Sequence, residues 1–184
     1  PYEIYARYST NAASYEYPTI AFLKMFDVND LRLKWLYNNT AGFDFQKRGF
    51  VFFNPNGTTA NFGTSVEEMK LIIAEEAARN NNLSEALNQV NDIRKLPIKK
   101  DAYQPLVSND PAEVLSFVLR ERHFELAYRG LRWLDMRRLD AEGKMPVVNR
   151  YGAATTIIGS LPPKSPKYTL QIPLSVQNFN PDMP

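Results

Sequence analysis

Glu121 to Leu139, reading ERHFELAYRGLRWLDMRRL, concentrates side chains capable of chemistry. It holds the carboxylates Glu121, Glu125 and Asp135, the cations Arg122 and Arg132, Trp133, and His123, the one histidine of the chain. A carboxylate pair can hydrolyse a glycosidic bond when its two groups flank a cleft at a controlled separation. Glu121 and Glu125 are four residues apart, on adjacent turns of one helix and among arginines, so they fit an ion-pair network better. His123 as a general base would work against its cationic neighbours, which disfavour a charged imidazole. No serine stands at a recognisable nucleophile elbow, and the chain contains no cysteine, which excludes thiolate nucleophiles, thiolate metal sites and disulfides. The stretch therefore reads as a structural ion-pair joint of Glu121, Arg122, Glu125, Arg132, Trp133 and Asp135, with Trp133 anchoring helix to helix. No catalytic residue is assigned.

Metal and cofactor chemistry find no better footing. A single histidine rules out multi-histidine metal sites. Asp27, Asn29 and Asp30 loosely resemble the start of a calcium loop but lack the glycine and distal glutamate that complete one. There is no phosphate-binding glycine loop and no dinucleotide fingerprint, so no cofactor is expected.

The elements that must position these residues are helices. Apolar residues at Leu115, Val118, Leu119, Leu126 and Ala127 follow helical spacing, and Gly130 stands where the helix can stop before a second amphipathic run, Leu131 to Leu139. Asp110-Pro111-Ala112-Glu113 is a start signal, with aspartate as cap and proline in the first turn. Upstream, Ser65-Val66-Glu67-Glu68 is a capping box opening a helix to about Arg79, with Asn80-Asn81-Asn82 as its stop and Ser84 as cap of the next helix. The pattern predicts two helical hairpins, Ser65–Leu96 and Asp110–Leu139, in an all-α (mainly helical) fold.

The flanks differ. Residues 1–64 are rich in Tyr, Phe, Asn, Thr and Gly, with two short helical pieces between Ile20 and Tyr37 broken near Asp27 to Asp30, and a short strand within Gly49 to Phe53. Residues 144–184 carry seven of the thirteen prolines and predict an extended tail, with Tyr168 to Pro173 alternating. The expected organisation is an aromatic, turn-rich region over 1–64, a hairpin core over 65–143 and a proline-rich tail of the same domain over 144–184.

Composition narrows the partners. The chain has 184 residues, room for one domain with a sizeable core, and a net charge of +2, which lacks the dense basic face that nucleic acid needs. No apolar run reaches the roughly 18 residues of a membrane span. The chain begins at Pro1 without a signal peptide, as expected for part of something longer.

Four stretches together resemble a known family. AEEAARNNNLSEALNQVNDIR resembles a tetratricopeptide-type hairpin, with Asn81 where such repeats usually carry glycine and Ala86-Leu87 as the small-then-large pair. ERHFELAYRGLRWLDMRRL resembles the ER-x-x-EL-x-x-x-G-x-RW-x-D-x-RR signature of the SusD/RagB family of outer-membrane nutrient-binding lipoproteins. VNDLRL, from Val28 to Leu33, is similar to that family's D-x-R segment, and QIPLSVQNFNPDMP to its closing segment. The resemblance implies tetratricopeptide-like hairpins with long irregular loops, and a non-enzymatic protein on the outer face of a Bacteroidetes outer membrane. It also implies a lipidated cysteine upstream of Pro1, an oligosaccharide or other nutrient as ligand, and a SusC-like TonB-dependent transporter as partner.

No position matches a fixed ligand motif of the family. Glycan capture by aromatic stacking and amide hydrogen bonds points to Trp35, Tyr37, Asn38 and Asn39, an aromatic pair meeting amides beside a turn, and then to Tyr15 and Tyr17. The competing function is a tetratricopeptide-like adaptor holding a peptide or protein in its helical groove.

Overall fold

The computed structural model describes residues 8–9, 18–38, 51–52, 60–61, 63–152, 156–170 and 172–179, and every structural statement below concerns those residues. The chain divides into two compact units, one formed by residues 1–132 with 153–155, the other by 133–152 with 156–184.

The first unit is built on three helices, α3 (Val66–Arg79), α4 (Leu83–Arg94) and α5 (Pro111–Glu125), each in contact with the other two. Ser65 caps α3 by accepting the Glu68 N–H at 3.3 Å, as the capping box predicts. The helix stops in a Schellman turn. Asn81 takes the left-handed conformation (φ 63°), its N–H donates to the Ala78 carbonyl at 3.2 Å, and the Asn82 N–H donates to the Ala77 carbonyl at 2.8 Å. Asn82, not Ser84, caps α4, accepting the Glu85 N–H at 3.4 Å. Asn82, the last residue of the stop Asn80-Asn81-Asn82, thus also opens the next helix two residues before Ser84. Asp110 caps α5 through the Ala112 N–H at 2.9 Å, with Pro111 in the first turn.

Small and β-branched residues line the inner faces. Ala74, Ala77 and Ala78 of α3, Ala86 and Val90 of α4, and Val114 and Val118 of α5 are all buried against one another. Alanines let the α3 and α4 backbones approach, and the valines fill what remains. Leu71, Ile93 and Leu126 make a second buried group, with Leu131 packed on it. The connector between α4 and α5 is pinned by one side chain: Asn91 donates to the Leu106 carbonyl at 2.9 Å and accepts the Leu106 N–H at 2.7 Å.

The segment 18–38 carries two four-residue helices, α1 (Ile20–Leu23) and α2 (Arg32–Trp35), as the broken pattern predicts. The strand β2 (Tyr37–Asn38) pairs antiparallel with β3 (Val51–Phe52), within the predicted 49–53 strand, and β1 (Tyr8–Ser9) pairs with β4 (Ala60–Asn61).

The second unit contains α6 (Arg132–Ala141, from Trp133 on), the hairpin β5 (Val148–Tyr151) and β6 (Ile157–Leu161), a single 3-10 turn at Pro166–Tyr168, and α7 (Leu174–Phe179). The second predicted hairpin, 110–139, is thus divided between units, α5 in the first and α6 in the second. α6 closes on a Schellman turn at Gly143 (φ 73°), with the Lys144 N–H donating to Leu139 at 2.8 Å. Asp140 near its end accepts the Lys164 N–H at 2.7 Å. The β5–β6 hairpin stands in the predicted extended tail. Val148, Ile157 and Ile158 of its strands are β-branched and carried the signal, which the surrounding prolines masked. Tyr168 ends the 3-10 turn rather than opening an extended run. Among the described residues no helix is long and apolar enough to cross a membrane.

Candidate functional site

The strongest polar arrangement begins with two residues of the 18–38 segment. Asp30 and Arg32 flank Leu31, a spacing that lets one carboxylate grip both the backbone and the side chain of the arginine. Asp30 Oδ1 accepts the Arg32 N–H at 3.0 Å and the Nε–H at 3.0 Å, and Oδ2 accepts Nη2 at 2.6 Å. The remaining edge of the guanidinium faces α5. Nη1 donates to Glu121 Oε1 at 2.7 Å and to Glu125 Oε2 at 3.0 Å. Arg94 of α4 adds a second cation, its Nε 3.9 Å from Glu121 Oε2. Arg32 is 4% exposed. Its Cζ lies 5.6 Å from the Phe26 ring centre and 5.5 Å from that of Phe124, so the guanidinium has aromatic neighbours as well as carboxylates. Only the planar fork of arginine fills this position, with a bidentate bond on one side and a shared donor on the other.

Burial works against the charge on Arg32, but Glu121, Asp30 and Glu125 more than offset it, so its proton is held more tightly than usual. Glu125 responds in the opposite sense to an ordinary ion-paired acid. Burial raises its carboxyl above the usual range, Arg32 pulls it down, Glu121 and Glu67 push it further up, and Arg129 lowers it. Two glutamates on one face share a single nitrogen of Arg32, and the repulsion between them explains part of that rise.

An apolar contact runs beside the ion pairs. Phe26 stacks on Phe124 at 4.1 Å, Phe22 meets His123 at 4.8 Å, and Tyr37 meets Tyr128 at 6.3 Å. Leu23, Phe26, Tyr37 and Phe124 are buried together. His123 is therefore a packing residue against Phe22. The α5 helix ends at Glu125, five residues before Gly130, and Tyr128 takes a left-handed conformation (φ 62°). Backbone bonds reinforce the seam: the Leu31 N–H donates to Pro97 at 2.7 Å and the Lys99 N–H to Asn29 at 3.1 Å.

The structure sorts the ligand candidates. Trp35, at the end of α2, is 47% exposed and follows the exposed Lys34. Tyr37 is 1% exposed, its ring packed among Phe22, Phe26 and Tyr128. It offers no face to a ligand in solvent, and burial pushes its phenol well above the usual range. Asn38 contributes backbone to β2, paired with Val51. Asn39, Tyr15 and Tyr17 lie outside the described residues.

The residues of the predicted joint separate as well. Glu121 and Glu125 are ion-paired to Arg32, far away in sequence, and Glu121 also faces Arg94. Asp135 is buried and takes Arg138 Nε at 2.9 Å within α6. Trp133 stacks on Tyr168 of the 3-10 turn (5.9 Å, 26°). Arg122 and Arg132 are half-buried, the latter opening α6. Among the described residues no group of three or more acids or histidines is placed to hold a metal ion. Sequence reasoning passed over Arg32 and Asp30 as site residues. The available signal was the D-x-R spacing in VNDLRL, whose partners lie about ninety residues on.

A family model described as the SusD family matches residues 66–183. Glu121 and Glu125 fall within the match, and Asp30 and Arg32 precede it. No curated protein matches the chain.

Proposed function

The chain belongs to the SusD family, a family of binding proteins, and on that premise we propose that it captures a glycan or related nutrient at the outer face of an outer membrane. The bound material passes to a SusC-like TonB-dependent transporter, and the chain carries out no covalent step. The match over 66–183 carries this reading, because it spans α3 to α7 and includes the Glu121–Leu139 stretch. The helical body supports it in a second way. Its buried polar groups serve packing and ion pairing, leaving exposed aromatic surface such as Trp35 for recognition. A tryptophan face stacks on the apolar face of a sugar ring, and neighbouring amides and cations bond the hydroxyls. Trp35 with Lys34 is the described place for this, and Asn38, Asn39, Tyr15 and Tyr17 remain candidates on the same grounds.

The test is co-purification. The full-length protein, tagged in its native cell and extracted in mild detergent, should bring down a large β-barrel receptor and should be retained on an insoluble polysaccharide column. Recovery of neither contradicts the reading, and recovery of soluble cytosolic partners instead would favour the peptide-binding adaptor.

A further inference from the structure

We propose that Arg32 is a positioning residue for ligand capture: by joining Asp30 of its own segment to Glu121 and Glu125 of α5, it fixes α2 on the helical scaffold and so sets the presentation of Trp35. The inference rests on the glycan-binding reading for its functional half and on geometry alone for its structural half.

Trp35 and Arg32 are the last and first residues of one four-residue helix. So short a helix has no stability of its own and takes its place from what holds it. What holds α2 is asymmetric. At its start the Leu31 N–H bonds to Pro97, and Arg32 reaches α5 through 2.7 Å and 3.0 Å bonds. Leu33 and Leu36 pack on the Phe26–Tyr37–Phe124 cluster. At its end Trp35 is half in solvent. The apolar contacts favour a docked segment over many related orientations, because dispersion and burial are weakly directional. The bidentate bond to Asp30 and the shared nitrogen between two glutamates select one orientation, because charge-assisted forks are directional. Losing Arg32 also leaves three carboxylates crowded at a dry seam, which drives the segment off α5.

The test exploits the two tryptophans of the chain, Trp35 and Trp133. In full-length protein in which Trp133 and any tryptophan outside residues 1–184 are replaced by phenylalanine, Trp35 is the reporter for emission and acrylamide quenching. The same protein is titrated calorimetrically with a panel of neutral and acidic oligosaccharides. Arg32→Gln should raise the quenching of Trp35 and red-shift its emission while the helical circular dichroism is retained. Affinity for any oligosaccharide bound by the parent should fall by about tenfold or more, equivalent to about 1.4 kcal/mol. Arg32→Lys, which keeps the charge and loses the fork, should recover part of both signals. Unchanged quenching and affinity in folded Arg32→Gln would overturn the proposal, leaving Arg32 a stabilising ion pair only. Should Arg32→Gln fail to fold, Glu121→Gln with Glu125→Gln releases the segment from the scaffold side and is read by the same two signals. A parent that binds none of the panel counts against glycan capture, while quenching alone then decides whether Arg32 sets the place of Trp35.

Discussion

At Arg32 a single side chain gathers three carboxylates at 2.6 to 3.0 Å while almost wholly buried. Truncation removes the cation that the three acids share and leaves only the longer Arg94 contact to Glu121. Arg32→Ala should therefore lower the unfolding free energy by about 3–5 kcal/mol in urea titrations, well beyond the roughly 1 kcal/mol of a surface pair. A loss under 1 kcal/mol would mean the seam is wetter than its geometry shows. Glu125 gives a pH signature of its own. Its folded-state value lies above the ordinary 4.5. Below 4.5 both states are protonated and nothing is lost. As pH rises past it, the unfolded chain releases its proton first, so stability falls until the folded-state value is passed and then holds level. Glu125→Gln keeps an acceptor for Arg32 and removes that fall. The melting temperature of the variant minus that of the parent should accordingly grow with pH across this window. A difference that shrinks contradicts the assignment.

Among the elements, the helix stops carry the clearest local logic. Asn81 holds the left-handed position of the turn between α3 and α4. Asn81→Gly should preserve or raise stability, whereas Asn81→Val should lower it by about 1–2 kcal/mol, measured by thermal or urea unfolding. Equal behaviour of the two variants would show that the turn does not constrain the hairpin. These stops and starts were legible because capping chemistry is local: serine, aspartate-proline and the asparagine run all act within four residues of themselves. What could not be read locally is the partner of Glu121 and Glu125. Their spacing showed a shared helix face, but an i,i+4 pair says nothing of what lies across it, and Arg32 arrives from the first third of the chain. Tyr37 failed for a related reason. An aromatic beside a turn has the same sequence signature whether its ring faces a ligand or, as here, fills the gap between Phe22, Phe26 and Tyr128. The β5–β6 hairpin was missed because proline content outweighed a run of β-branched residues.

For the whole molecule, the family assignment and the packing agree on what kind of protein this is. The first unit places alanine and valine where three helices meet, and its charged side chains secure a segment that bears an exposed tryptophan. The stretch Glu121–Leu139 places its carboxylate pair against a buried cation. Its two glutamates share one arginine and its histidine packs on a phenylalanine ring. The SusD family is a family of binding proteins, and the proposed capture of a glycan would use Trp35, which is 47% exposed. Trp35→Ala should weaken oligosaccharide binding at least about tenfold with the melting temperature nearly unchanged, since a half-exposed ring adds little to the core. The most direct measurement is calorimetric titration of the full-length protein with an oligosaccharide panel, followed by chromatography of the recovered sugar. Saturable binding of at least one oligosaccharide, recovered intact and weakened by Trp35→Ala, is the predicted result. Folded protein that binds nothing in the panel, or sugar recovered as cleaved product, would contradict it.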